Sequence, residues 1–261
     1  MEQKNPLNWL FLLLFLTAAV VVIFLIIAGS DRYKGKIREM MSGPLPQDTR
    51  LNNPSFVFEL PAPRFKSDIS LEETLLNRRS RRSYPDEAIS TKELSQLLWA
   101  AYGITEPQPG QEKLREGKRT APSAGAFYPL EVYVVVGKVN GIDPGIYKYV
   151  SKGHKIVQVM NGDIRAELST AAYKQGMIER APICLFYSAV YERTTRRYGE
   201  RGRQYVWAEL GHSAQNVYLQ AETLGMGTCV AGAFNDDEVK KVMQLPPEEV
   251  PLYIMPIGKR R

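Results

Sequence analysis

The chain has 261 residues, 44% of them apolar and 24% charged, with a formal net charge of +6. That composition excludes a disordered, solvating chain, and the length suits one globular domain with an appendage. The cationic excess favours anionic ligands or membrane headgroups. The two cysteines form no CxxC and the two histidines lie far apart, so no metal centre is expected, and buried free thiols are.

Leu7 to Ala28 is a run of 22 residues without charge or proline, long enough to span a bilayer as a helix. Arg32, Lys34, Lys36 and Arg38 crowd its C-terminal flank. The positive-inside rule then predicts a single-pass cell-membrane anchor over residues 1–30, with the remainder in the cytoplasm. Residues 31–69 read as a basic juxtamembrane segment and a tether, with five prolines between 39 and 69. Within it, Ser55 to Leu60 is a strand or an extended arm. The main domain is expected over residues 70–261.

Two capping boxes open that domain. Ser70 with Glu73 starts a helix running to Asn77 or Arg79, and Ser90 with Glu93 starts one closed by Gly103. Residues 104–120 are polar and Gly/Pro-punctuated, as in a long loop. Strands are expected at Glu131 to Gly137, Gly145 to Val150, Lys155 to Met160 and Ile183 to Val190, with a helix from Asp163 to Gln175. Val206, Leu210, Ala214, Val217, Ala221 and Leu224 recur at helical spacing, and Gly225 caps the helix they form. On it, His212 reads as a hydrogen-bonded core histidine. Thr228 to Ala231 reads as a short buried strand, and Gly232-Ala233 carry almost no side chain, which suits backbone close to a flat ligand. Asn235 with Glu238 opens another helix, and Leu252 to Ile257 is a last strand. The alternation predicts an α+β or α/β sandwich on one mostly antiparallel sheet.

Asn77 to Tyr84 (NRRSRRSY) is the densest basic cluster. It suits either a solvated helix end or a phosphate monoester, onto which guanidinium can fork two donors. Arg193, Arg196, Arg197, Arg201 and Arg203 are interleaved with tyrosines, but no RNA-binding signature accompanies them, so no nucleic-acid partner is expected. No GxGxxG or Walker motif follows a strand.

RRSRRSY, APSAGAFYPLEVYVVV, Gln175, YGERG, ELGHSAQNVYLQAETLGMGTCVAGAF and PLYIMPIGKRR occur in that order. The set resembles the nitroreductase superfamily of flavoproteins, and within it the SagB/ThcOx-type dehydrogenases, from about Pro61 to Arg261. The resemblance implies a three-layer α+β sandwich that binds FMN at a homodimer interface built largely from the long helix. It places Arg78 and Ser80 on the FMN phosphate, with Lys259 and Arg261 closing over it, and Arg82 toward the ribityl chain and the N1/O2 edge. Pro122, Ser123, Ala124 and Gly125 would flank the ring from the partner subunit. Gln175 would present its amide to the pyrimidine edge, and Gly232 and Ala233 their backbone N–H groups near N5 and O4. It further implies an oxidoreductase acting on a small-molecule or peptide substrate, with NAD(P)H as a candidate donor. Azoline-oxidising members resemble one another in a Lys-Tyr pair before GxRG, whereas this chain has Arg197-Tyr198. Tyr198 is then the candidate acid/base and Arg197 a clamp for substrate charge. Two other readings stand beside this one: a membrane-tethered flavin-binding sensor or assembly module without turnover, and an azoline dehydrogenase subunit of a peptide-modifying complex.

Overall fold

A computed structural model describes residues 56–110 and 117–260. Seven strands form one sheet, β1 (Val57–Glu59), β4 (Leu130–Val136), β5 (Gly145–Val150), β6 (Lys155–Asn161), β7 (Ile183–Ala189), β8 (Met226–Thr228) and β9 (Val250–Lys259). Their order is β1-β6-β5-β4-β7-β9-β8, and every ladder between neighbours is antiparallel. Because β1 pairs with β6, ordered structure begins N-terminal of residue 70.

Strand alternation divides the core in two. Val132, Val134, Val136, Leu185 and Tyr187 face one side, where they meet Leu94, Leu97 and Leu98 of helix α2 (Thr91–Tyr102). Tyr133, Val135, Cys184 and Phe186 face the other, against Leu168 of α3 (Arg165–Ala171), Ile178 of α4 (Gly176–Arg180) and Val239 of α7 (Asp236–Val242). Both faces of β4 and β7 are covered, so both strands are buried throughout. The result is a three-layer sandwich. Cys184 is fully enclosed and burial pushes its thiol up to about 12, while Cys229 is also buried and free.

The caps form as the sequence predicts. Ser70 Oγ accepts from Glu73 N–H at the start of α1 (Leu71–Asn77). Ser90 and Glu93 close both halves of their box on α2, and Asn235 accepts from Glu238 N–H. Gly225 lies in the left-handed region at φ 66°, where only glycine is unstrained. Gly103 ends α2 for a different reason. Its backbone is extended, and an added Cβ would stand 2.3 Å from the Trp99 ring.

Four expectations need correction. Residues 104–120 include a hairpin, β2 (Ile104–Pro107) with β3 (Gly117–Arg119). The helix expected over 163–175 is broken, because Tyr173 and Lys174 adopt positive φ and Lys174 N–H returns to the Ser169 carbonyl. On the long helix α6 (Arg201–Thr223), His212 lies on the outer face and is exposed rather than a core residue. Finally, the cell-membrane placement is withdrawn. Among the described residues no helix is long and apolar enough to cross a membrane. The run Leu7 to Ala28 that suggested an anchor lies outside them, as do Arg261 and residues 111–116.

Candidate active site

The inner stripe of α6, with Val206, Leu210, Ala214, Val217 and Ala221 at most 4% exposed, fixes the helix on the sheet. Its two ends then gather different groups of functional side chains. At the C-terminal end, the Tyr218 hydroxyl accepts from Val230 N–H at 2.8 Å. The Arg78 guanidinium lies over the Tyr218 ring, 5.4 Å from its centroid. Ser80 bridges Thr228, and Arg81 N–H donates to the Thr228 carbonyl at 2.9 Å. Tyr84 hydroxyl lies between the carbonyls of Arg81 (2.7 Å) and Pro256 (3.0 Å), and burial pushes its pKa well above the usual tyrosine range. Residues 78–84, 218–233 and the end of β9 therefore meet in one place.

The cations there are not equivalent. Arg79 Nη1 donates to the carbonyls of Leu76 and Arg78 at the end of α1. Arg260 Nη1 binds Glu222 at 2.5 Å, and Arg81 Nε lies 3.8 Å from the same buried carboxylate. Lys259 is paired with Glu93. Burial works against ionisation of Glu93, but hydrogen bonds from Lys259 and Ser90 outweigh it and hold the carboxyl below its usual range. Lys259 thus arrives with its charge already compensated. Arg78 and Arg82 have no carboxylate partner among the described residues, and Ser80 is exposed beside them.

Beyond Thr228 the chain is pinned by a reciprocal pair of hydrogen bonds between Ala231 and Ile254 (2.8 and 3.0 Å). Gly232 and Ala233 follow on the surface, and their N–H groups have no backbone partner among the described residues. A Cβ on Gly232 would come within 3.3 Å of the Tyr253 ring. Gln175 Nε2 donates to the Ala233 carbonyl (2.7 Å) and the Ala172 carbonyl (3.0 Å). Only its carbonyl oxygen is left for a ligand, so it can accept but not donate there.

At the N-terminal end of α6 the materials are aromatic. Helix α5 (Glu192–Tyr198) ends at Tyr198, whose ring stands edge-on to Phe127 (6.1 Å) and Tyr205 (5.1 Å). Gly125 has φ 64°, and a Cβ there would lie 2.9 Å from the Tyr198 hydroxyl and 2.8 Å from Phe127. The same turn holds Ala126 and Tyr128 at positive φ, a strained conformation for residues with a side chain. Ser123 Oγ helps hold it by accepting from Tyr128 N–H at 2.9 Å. Pro122 is exposed and Ala124 partly so. Arg197 is exposed, with no carboxylate partner among the described residues.

The sequence profile of the nitroreductase family matches residues 75–259, which include both groups. The chain belongs to the nitroreductase family. A Methanocaldococcus jannaschii protein named as a nitroreductase is 47% identical over 193 residues, 74% of this chain and 92% of that one. A crystal structure described as a nitroreductase from Ralstonia eutropha JMP134 superposes with a TM-score of 0.67 at 28% identity, covering 84% of this chain and 96% of that one. The Escherichia coli microcin B17-processing protein McbC is 25% identical, over 65% of this chain and 62% of its own length. As a nitroreductase-family member the chain is an FMN-dependent oxidoreductase.

The residues present fit that cofactor. Uncompensated guanidiniums suit a phosphate, exposed backbone N–H groups suit ring acceptors, and the Gln175 oxygen suits an imide N–H. Four residues that support this arrangement were not distinguished by the nitroreductase resemblance: Tyr218, Glu222, Tyr84 and Glu93. Tyr218 and Glu222 are four apart on one helix, so they lie on a common side. That spacing was the available signal, but nothing local tells which arginines they meet.

Proposed function

We propose that this nitroreductase-family chain transfers hydride between NAD(P)H or a small or peptide-derived donor and a second acceptor. FMN supplies the chemistry, taking and giving hydride at its N5. Arg78, Arg82 and Ser80 bind its phosphate and ribityl end, and the Gln175 oxygen accepts from the pyrimidine edge. Gly232 and Ala233 direct N–H groups at acceptors on the ring, stabilising negative charge as it develops there. Tyr198 holds or delivers a proton to the reacting substrate, and the exposed Arg197 attracts an anionic one. Lys259, its charge already compensated by Glu93, contributes less to the phosphate than Arg78 and Arg82 do.

The observation that carries this reading is the division of labour along α6. Tyr205 and Tyr218, which mark the two groups, are thirteen residues apart, roughly 20 Å along α6 in one protomer. A homodimer resolves the separation if the turn 122–125 and Tyr198 of one protomer meet the phosphate group of the other. The outer face of α6 supports it, since Trp207 (47% exposed), Ala208, Gly211 and His212 are all exposed there.

Complementation tests this. Assayed without added FMN, Arg78→Ala and Tyr198→Phe are each expected to lose most of their NADH or NADPH oxidation with a quinone acceptor. Mixed and allowed to exchange subunits, they should regain activity, because one site of each mixed dimer is then intact. No recovery despite proven exchange would place both groups in one protomer's site. A second reading is oxidation of a peptide azoline, as the SagB/ThcOx-type resemblance implies, and the likeness to the microcin B17-processing protein McbC supports a peptide substrate. Arg197 in place of a lysine counts against azoline oxidation, because guanidinium does not serve as a general base.

A further inference from the structure

Of the arginines between 193 and 203, Arg193 stands apart because it is buried, its side chain only 7% exposed. It occupies the first turn of α5, and its Nη1 binds Glu131 Oε1 on β4 at 2.5 Å. The same nitrogen lies 3.4 Å from the carbonyl of Tyr128, the last left-handed residue of the strained turn. The other Glu131 oxygen is 3.2 Å from Lys148 Nζ, which also donates to Glu249 at 3.0 Å. Glu249 is held in turn by Tyr133 and Ser188 hydroxyls. Two cations and two carboxylates are thus enclosed together. A guanidinium in such a place has no water to fall back on, so its geometry is stiff.

We propose that Arg193 is a positioning residue for Tyr198, gripping at one point both segments that meet at the Tyr198 hydroxyl. The turn 125–128 is held through Tyr128 and Glu131, and α5 through Arg193 itself. Five residues of helix, roughly 8 Å, carry that constraint to Tyr198. Gly202 completes it from α6, since a Cβ there would lie 3.0 Å from the Thr195 Cα and push the two helices apart. A small rotation of α5 would carry the hydroxyl off Gly125, and displacement by about 1 Å can cost on the order of a hundredfold in rate.

This rests on the reading of Tyr198 as acid/base, and the test separates the two. The full-length protein is made as Arg193→Met, Arg193→Lys, Glu131→Gln, Tyr198→Phe and the Arg193→Met/Tyr198→Phe pair. In FMN-free protein labelled with 3-fluorotyrosine, the Tyr198 signal is identified by its loss in Tyr198→Phe. That signal should shift or broaden in Arg193→Met, and less so in Arg193→Lys. In FMN-loaded protein, Arg193→Met should lose about a hundredfold in kcat at retained FMN occupancy, yet lose little more in the Tyr198→Phe background. An unmoved fluorine signal, or losses that multiply in the pair, would overturn the proposal. If Arg193→Met does not fold, Arg193→Lys and Glu131→Gln carry the same comparison. Full kcat in Tyr198→Phe would instead remove the acid/base role, with the fluorine signal still deciding whether Arg193 sets the ring.

Discussion

The two ends of α6 solve the problem of holding a ligand by different means. At the C-terminal end, charge is abundant but mostly compensated: Glu222 takes Arg81 and Arg260, and Glu93 takes Lys259. Recognition there falls to what is left over, Arg78 and Arg82. At the N-terminal end, Phe127, Tyr198 and Tyr205 meet edge to face beside a turn held at positive φ. Its precision comes from packing and from the strain that packing sustains. The first kind of site is sensitive to salt and tolerant of small shifts, and the second the reverse.

Removing Glu222 should break the comparison most severely. Its side chain is 5% exposed, and Glu222→Ala takes this counterion from both Arg81 (38% exposed) and Arg260 (32% exposed). Stability should fall by about 3 kcal/mol, read from urea unfolding, whereas Glu222→Gln should recover part of that. A change under about 0.5 kcal/mol would mean that the three groups are effectively solvated. Next comes Arg78→Ala, with the fold intact and FMN affinity lower by about 2 kcal/mol, or roughly thirtyfold. The absorbance of the purified protein near the flavin band reports it, and the loss should shrink as salt is raised.

Gly125→Ala sharpens the other side. Forcing a Cβ onto a left-handed residue against Phe127 and the Tyr198 hydroxyl should cost about 1–2 kcal/mol in stability and reduce kcat, with a smaller loss of FMN affinity than in Arg78→Ala and an unchanged salt dependence. If FMN affinity drops as far as in Arg78→Ala, the two ends do not act separately.

The smallest effect expected is a control remote from both. His154 Nε2 meets Ser95 Oγ at 2.7 Å and Nδ1 meets the Tyr149 hydroxyl at 2.8 Å, while Ser95 Oγ donates to the Pro61 carbonyl at 2.5 Å. Burial holds the His154 pKa below its ordinary value of 6.5. Folding therefore favours the neutral ring, so this stabilisation is complete above about pH 6.5 and is lost as pH falls through the depressed folded value. The melting temperature of the wild type should decline on acidification more than that of His154→Gln. Parallel pH profiles would show that His154 contributes nothing to acid sensitivity.

Local patterns carried much of this into view from the sequence. Ser70 with Glu73, Ser90 with Glu93 and Asn235 with Glu238 each act across three residues, where the partner is bound to be in reach. The stripe Val206 to Ala221 is buried as its spacing requires. Less legible were the β2–β3 hairpin and the break at Tyr173-Lys174. The first depends on pairing across residues 108–116, and the second on a backbone conformation that neither side chain favours.

The order of caps, periodic stripes and basic cluster, together with the family to which the chain belongs, was set by the sequence alone, since each rests on neighbours in the chain. Which arginine stays available, which lysine is neutralised and which guanidinium is buried were decided only in three dimensions. Arg78, Arg81 and Arg193 are chemically identical side chains. They differ because Tyr218, Glu222 and Glu131 reach them from other elements, and a charge in low dielectric is governed by whatever stands within a few ångströms of it.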